Sequence, residues 1–189
     1  QTKCIDQFIK HRFNVILKSR QMGISTLTAG YIAWMLRFYK EKNVLIVATK
    51  AGVAKNIISK IKIIYSNLPD FLKPELATDN QQEVKLTNGS VCKAVPTSED
   101  AGRSEALSLL VIDEAAFVKW ADKIWTSAYP TLATGGSAIV LSTPNGVGNF
   151  FHKCYSEAER KKNDFNPIKL PWYLHPERNQ NWFDNETVN

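Results

Sequence analysis

The chain has 189 residues, 44% of them hydrophobic, which is enough for one well-packed domain and short for two. Its three cysteines, Cys4, Cys92 and Cys154, lack C-x-x-C spacing, which argues against a disulfide framework and a thiolate metal site. No apolar run approaches the ~18 residues that cross a bilayer, and no charged-then-apolar signal opens the chain, so a soluble intracellular protein is expected; its net charge of +6 favours an anionic partner.

Asn14-Val-Ile-Leu17 is a β-branched run that leads into a small and polar stretch from Lys18 to Ser25, and Thr26 to Tyr39 has helical apolar spacing. This predicts strand, loop, helix. Asn43 to Thr49 suits a strand buried on both faces, and Ala51 to Leu68 repeats Ile and Val at helical spacing until Pro69 stops it. Two strand–helix units in succession imply a parallel sheet. Between Glu83 and Val95, alternating segments flank Asn88-Gly89, which predicts a projecting β-hairpin closed by a type I′ turn. Leu107 to Asp113 and Ala138 to Ser142 read as further strands, with helices after Trp120 and from Gly148 to about Lys161. The tail from Asn163 carries Pro167, Pro171 and Pro176 with Trp172 and Trp182; only Ile168 to Trp172 reads as a strand, and the segment is expected to act as a hinge or packing piece.

The stretch Lys18, Ser19, Arg20, Gln21, Met22, Gly23, Ile24, Ser25 lies between a buried strand and a helix beginning near Thr26, where a phosphate-binding loop belongs. It departs from G-x-x-x-x-G-K-[ST]: Ile24 stands where the lysine is expected, and Lys18 or its neighbour replaces the first glycine. Lys18, at the mouth of the loop, is a candidate for the missing ammonium; Arg20, whose fork suits a γ-phosphate, is a second. Ser25 takes the hydroxyl position expected to ligate Mg²⁺. Leu109-Leu-Val-Ile-Asp113-Glu114 has the Walker B pattern, an apolar strand ending in two carboxylates, Asp113 for Mg²⁺ and Glu114 to orient or deprotonate the attacking water. Strand geometry is expected to turn these two to different sides. Ser142 and Thr143, ending another strand, are γ-phosphate sensor candidates. Lys50 and Arg103 face nucleotide or DNA, or are plain surface cations; His11, His152 and His175 are scattered and receive no metal role.

SRQMGIST around Gly23, DFLKPE from Asp70, TNGS from Thr87, LLVIDEAAF from Leu109 and LSTPNGVGNFF from Leu141 occur in order over nearly the whole chain. Together they resemble the ATPase domain of tailed-phage large terminases, the T-even-like branch above all. That resemblance implies an α/β fold, a P-loop NTPase of the additional-strand, conserved-glutamate class: a mainly parallel β-sheet flanked by helices. It implies a motor that couples hydrolysis of ATP, with Mg²⁺, to movement of double-stranded DNA into a capsid. Its partners would be portal protein, the small terminase subunit and further copies in a ring, likened to a pentamer, with no membrane. It would work in the host cytoplasm and transiently at the portal vertex.

Most T-even-like relatives have Gly-Lys-Thr where this chain has Gly23-Ile24-Ser25; a lambda-like variant instead begins the loop with Lys-Ser, which Lys18-Ser19 matches. The resemblance therefore carries the phosphate-binding lysine to Lys18 and the in-cis arginine finger to Arg20. A family glutamine that contacts adenine falls at Gln1, and Ser142, Thr143 and Pro144 match the motif that links hydrolysis to movement. The expected division is an ATPase domain over 1–162 and a packing segment over 163–189, with the family's nuclease domain absent and no DNA cleavage. Two other readings remain at this point: a helicase-like or restriction-type translocase, and a nucleotide-binding module that lost hydrolysis when Ile24 replaced lysine.

Overall fold

The apolar runs become the strands of one sheet in the computed structural model, which describes residues 1–99, 101 and 106–187. In chain order the elements are α1 (Thr2–Lys10), β1 (Phe13–Lys18), α2 (Ile24–Phe38), β2 (Asn43–Ala48), α3 (Ala51–Ser66), β3 (Leu76–Asp79), β4 (Glu83–Leu86) and β5 (Val91–Pro96). They continue with β6 (Leu109–Asp113), α4 (Ala121–Ala128), β7 (Ser137–Ser142), α5 (Phe150–Glu159), β8 (Phe165–Leu170) and α6 (Gln180–Thr187). The strand order is β3-β4-β5-β2-β6-β7-β1-β8, parallel from β5 to β8 and antiparallel at the β3-β4-β5 end. One strand, β7, is inserted between β1 and β6. That is the additional-strand arrangement.

Alternation along the strands feeds two cores. Ile16, Ile46, Val111 and Leu141 face α1, α2 and α3, while Val15, Val47, Leu110, Ile112 and Val140 face α4 and α5. Both faces of β6 are thereby covered and all five of its residues are buried, which is why it reads as an unbroken apolar run. Leu110 is fully buried in this central strand. Leu110→Ala should lower unfolding free energy by about 2–5 kcal/mol. Urea denaturation measures this; a loss under about 1 kcal/mol would mean that the α4 side repacks around the gap.

Several sequence expectations are sharpened here. The hairpin extends the sheet in its own plane, because β5 pairs with β2 as well as with β4. Its turn is not type I′, which needs positive φ at both central residues. Gly89 has φ +86 while Asn88 does not enter the left-handed region, and the hydrogen bonds Gly89 N to Leu86 O (3.1 Å) and Leu86 N to Ser90 O (2.9 Å) close a longer loop. Asn88 is held instead by its side chain, which donates to Leu36 O (2.8 Å) and accepts from Ser90 N (2.9 Å).

The tail supplies a sheet strand, since β8 pairs with β1 from Phe13↔Phe165 to Lys18↔Leu170, three residues earlier than the strand read at Ile168. Pro167 is tolerated there because β8 is an edge. Helix α1 has no counterpart in the sequence reading, although Cys4, Ile5, Phe8 and Ile9 have helical spacing; it buries Cys4 and Phe8, and Phe8 meets the Tyr31 ring edge-on at 5.5 Å.

Candidate active site

Three adjacent parallel strands, β6, β7 and β1, end at one edge of the sheet, and their register aligns the ends: Asp113 pairs with Leu141, and Leu17 with Ser142. In an open α/β sheet this carboxyl edge is where ligands bind. Lys18 closes β1, Asp113 closes β6 and Ser142 closes β7, so three separate sequence segments converge without any long side chain having to reach far.

Between β1 and α2 the loop has Gln21 at φ +58 and Gly23 at φ +72. Left-handed residues alternating with right-handed ones can turn successive N–H groups into one concavity, which makes this loop a candidate anion nest. Gly23 takes this conformation freely, and a Cβ there would also meet the Gln1 amide nitrogen at 3.0 Å. Ile24, in the position where a lysine is usual, is 3% exposed and packs in the core with α1 and α2. It offers the nest no charge.

The charge comes from the other end. The Lys18 side chain is 7% exposed, and its ammonium donates to Glu114 Oε1 at 2.7 Å. Glu114 is not turned away from Asp113 by strand pleating, as the sequence suggests; β6 stops at Asp113, and Glu114 adopts left-handed φ +52, which folds its carboxylate back over the end of β7. A non-glycine residue there costs roughly 1 kcal/mol and marks a site whose surroundings over-determine it. Those surroundings are visible: Glu114 Oε2 accepts long hydrogen bonds of 3.4 Å each from Ser142 Oγ, Thr143 N and Thr143 Oγ1. Ser142 Oγ in turn accepts from Ala116 N (3.1 Å), and Asn145 Nδ2 donates to Ala116 O (3.1 Å), which ties the chain after Glu114 to the chain after β7.

Asp113 is 3% exposed; its Oδ2 accepts from Ser25 Oγ at 3.2 Å and its Oδ1 from Glu114 N at 3.0 Å. Burial pushes its carboxyl above the usual range and the neighbouring Glu114 charge adds to this, opposed by the Lys18 ammonium and the two hydrogen bonds. A buried carboxylate of this kind gains from a cation at its side.

Lys18, Ser25, Asp113, Glu114, Ser142 and Thr143 thus form one connected cluster. Arg20 lies in the exposed rim of a cleft of about 810 Å³ beside Lys18 and Thr143, and Thr26 is exposed on the first turn of α2. Ser19 donates its N–H to Leu170 O at 2.9 Å, a contact with the tail. Met22 and Gln1 border a second cavity of about 640 Å³ with Leu174, His175 and Pro176. Lys50 caps α3 just past β2, whose carboxyl end lies beside that of β6, and no contact joins it to this cluster among the described residues; Arg103 lies outside the described residues. Sequence reasoning missed the tail's share of the site: Lys169, Trp172, Arg178 and Trp182 wall the larger cleft. Arg178 reaches Arg20 O at 2.9 Å across 158 residues, and no local pattern signals such a contact.

The family model described as "Terminase large subunit, T4likevirus-type, N-terminal" matches residues 15–185. In fold, the chain is similar to the ATPase domain of the Thermus phage P74-26 large terminase, at 19% identity and TM-score 0.72, covering 94% of this chain and 83% of that one. It is similar also to the large terminase of the thermophilic bacteriophage D6E, at 12% identity and TM-score 0.70, covering 94% of this chain and 45% of that one. That enzyme has been solved with ADP and with ATP-γ-S. A third similar structure is the N-terminal domain of the bacteriophage phi29 DNA packaging ATPase, at 15% identity and TM-score 0.64, covering 92% and 97%. Neither the helicase-like translocase nor the non-hydrolysing module is favoured beside these matches. With its family match running from β1 into α6, the chain belongs to the T4-like terminase large subunits and corresponds to their N-terminal part.

Proposed function

We infer that this domain hydrolyses Mg-ATP and that hydrolysis drives double-stranded DNA along the motor. The observation that carries the reading is the convergence of Lys18, Ser25, Asp113 and Glu114, with Ser142 and Thr143, at the end of three adjacent strands beside an anion nest. The N–H groups from Arg20 to Ser25, with the Ser19 side chain and Thr26 at the start of α2, receive the phosphates. Ser25 and Asp113 present hard oxygen donors close together, and a hydroxyl plus one carboxylate suits Mg²⁺, which keeps waters and phosphate oxygens as its other ligands. Bound there, Mg²⁺ would supply charge neutralisation between the β- and γ-phosphates.

Lys18 and Glu114 neutralise each other before nucleotide arrives. A γ-phosphate competes for the Lys18 ammonium, and as Lys18 turns to it Glu114 Oε1 loses its partner. Oε2 stays fixed by Ser142 and Thr143, so the freed oxygen accepts a proton from water that attacks phosphorus while the bond to the bridging oxygen breaks and ADP leaves. Arg20, at the rim, adds positive charge in cis. Gln1 is assigned to the base, which its position beside Gly23 and the cavity with Leu174 and His175 supports.

The wider assignment follows from the same family. DNA, portal protein and the small terminase subunit are the partners, a ring, pentameric by analogy, is the working assembly, and the procapsid portal in the host cytoplasm is the place of action. Net charge of +6 supports the DNA contact. No helix among the described residues is long and apolar enough to cross a membrane. Pairing of β8 with β1 supports treating residues 163–187 as a packing segment of the ATPase domain, and no nuclease chemistry is assigned to this chain. The test is phosphate release from Mg-ATP by the purified protein, with and without double-stranded DNA and portal protein. Release stimulated by DNA is expected; nucleotide binding with no release under any of these conditions would overturn the hydrolytic assignment.

A further inference from the structure

The loop poses a physical problem that its own sequence does not solve. Two of its residues are left-handed, but only Gly23 is a glycine; Gln21 holds φ +58 with a side chain that disfavours it. Something outside the loop must keep Gln21 there.

Arg178, from the tail between β8 and α6, meets that need. Its Nη1 donates to Arg20 O at 2.9 Å and its Nη2 to Gln21 Oε1 at 3.4 Å, while Nη1 also lies 3.9 Å from Met22 Sδ. The Arg20 carbonyl belongs to the peptide that joins residues 20 and 21, so anchoring that oxygen fixes the peptide plane about which Gln21 φ turns. It also draws the carbonyl towards the guanidinium, leaving the N–H side of the loop to an anion. The fork is itself braced: the guanidinium lies 4.5 Å from the centroid of the Trp182 ring, and Trp182 neighbours Trp172, which stacks on Phe183 at 4.7 Å.

We propose that Arg178 is a positioning residue that holds the phosphate loop in its receiving form before nucleotide binds, by pinning the Arg20 carbonyl and so keeping Gln21 left-handed. The proposal rests on reading residues 18–25 as the phosphate loop. It predicts a specific rescue. A glycine at position 21 adopts positive φ without strain, so it makes the Arg178 bond dispensable.

The experiment is a double-mutant cycle on the full chain with Arg178→Ala and Gln21→Gly, read by equilibrium ATP binding, steady-state kinetics and amide hydrogen exchange of residues 19–24 in nucleotide-free protein. Arg178→Ala should weaken ATP binding and raise KM about five- to tenfold, leave kcat within about twofold, and speed exchange of the loop amides. Adding Gln21→Gly should bring affinity back to within about twofold of Gln21→Gly alone. Arg178→Lys, which keeps charge and loses the fork, should resemble the alanine variant, and Trp182→Ala should reproduce it in part.

Unchanged affinity and exchange in Arg178→Ala would overturn the proposal. So would a loss that Arg178→Lys restores or that Gln21→Gly does not relieve, since those point to plain charge or to tail folding; an unchanged urea midpoint for Arg178→Ala keeps the latter apart. If the wild type binds no nucleotide, the phosphate-loop reading itself fails, and the exchange data still decide whether Arg178 holds the loop.

Discussion

Glu114→Gln is expected to bind ATP with affinity within about threefold of the wild type and to lose about 10²–10⁴-fold in turnover. The amide has the shape of the carboxylate, so its oxygen can still accept from Lys18 where Oε1 does now at 2.7 Å. Its NH₂ then faces the Ser142 and Thr143 hydroxyls, which can reverse and accept, and only the long contact to Thr143 N becomes unfavourable. Left-handed Glu114 and its neighbours therefore stay in place, and what disappears is the proton acceptor. Phosphate release and nucleotide binding should be measured on the same preparation. Residual hydrolysis within about threefold of wild type would remove Glu114 from the chemistry.

Lys18→Ala should damage both binding and turnover. A charge-assisted hydrogen bond of this type contributes about 1.5–3 kcal/mol, so ATP affinity should fall roughly 10- to 100-fold. Removal of Lys18 also leaves Glu114 without the cation that neutralises it, and an uncompensated carboxylate beside the nest repels the phosphates it is meant to serve. The Arg20→Ala variant provides the comparison. Arg20 is exposed at the rim of the cleft, whereas Lys18 is buried, so Lys18→Ala should be the more damaging at low ATP. The reverse order would transfer the main phosphate contact to Arg20.

The core of the site is legible in the sequence because its signals are local. An unbroken apolar run ending in Asp113-Glu114 announces a strand covered on both faces, and the polar stretch between β1 and α2 announces a loop aimed at the same edge. Even the missing lysine at Ile24 is readable as a need for charge from elsewhere. What could not be read depends on distance along the chain or on backbone detail. Strand β8 is half-exposed, carries Pro167 and Lys169, and is defined by pairing with residues about 150 positions earlier, as in Asn14↔Asn166. The side-chain bonds of Asn88 keep it out of the left-handed region that an Asn-Gly turn suggests. Glu114 turns by φ +52 because β7 offers it Ser142 and Thr143, an arrangement that exists only after the sheet has formed.

The pairing of β8 with β1 has a mechanical meaning. The two strands run parallel, residue for residue, from Phe13↔Phe165 to Lys18↔Leu170, and Leu170 O extends the contact to Ser19 N at 2.9 Å. Tension on the chain beyond β8 therefore pulls along the strand axis and loads these hydrogen bonds together in shear, instead of peeling them one at a time. This line of hydrogen bonds ends at Ser19, the first residue after β1 and the start of the proposed phosphate loop. If the domain works as the motor proposed above, load carried in this way would reach its nucleotide site without unfolding the edge strand.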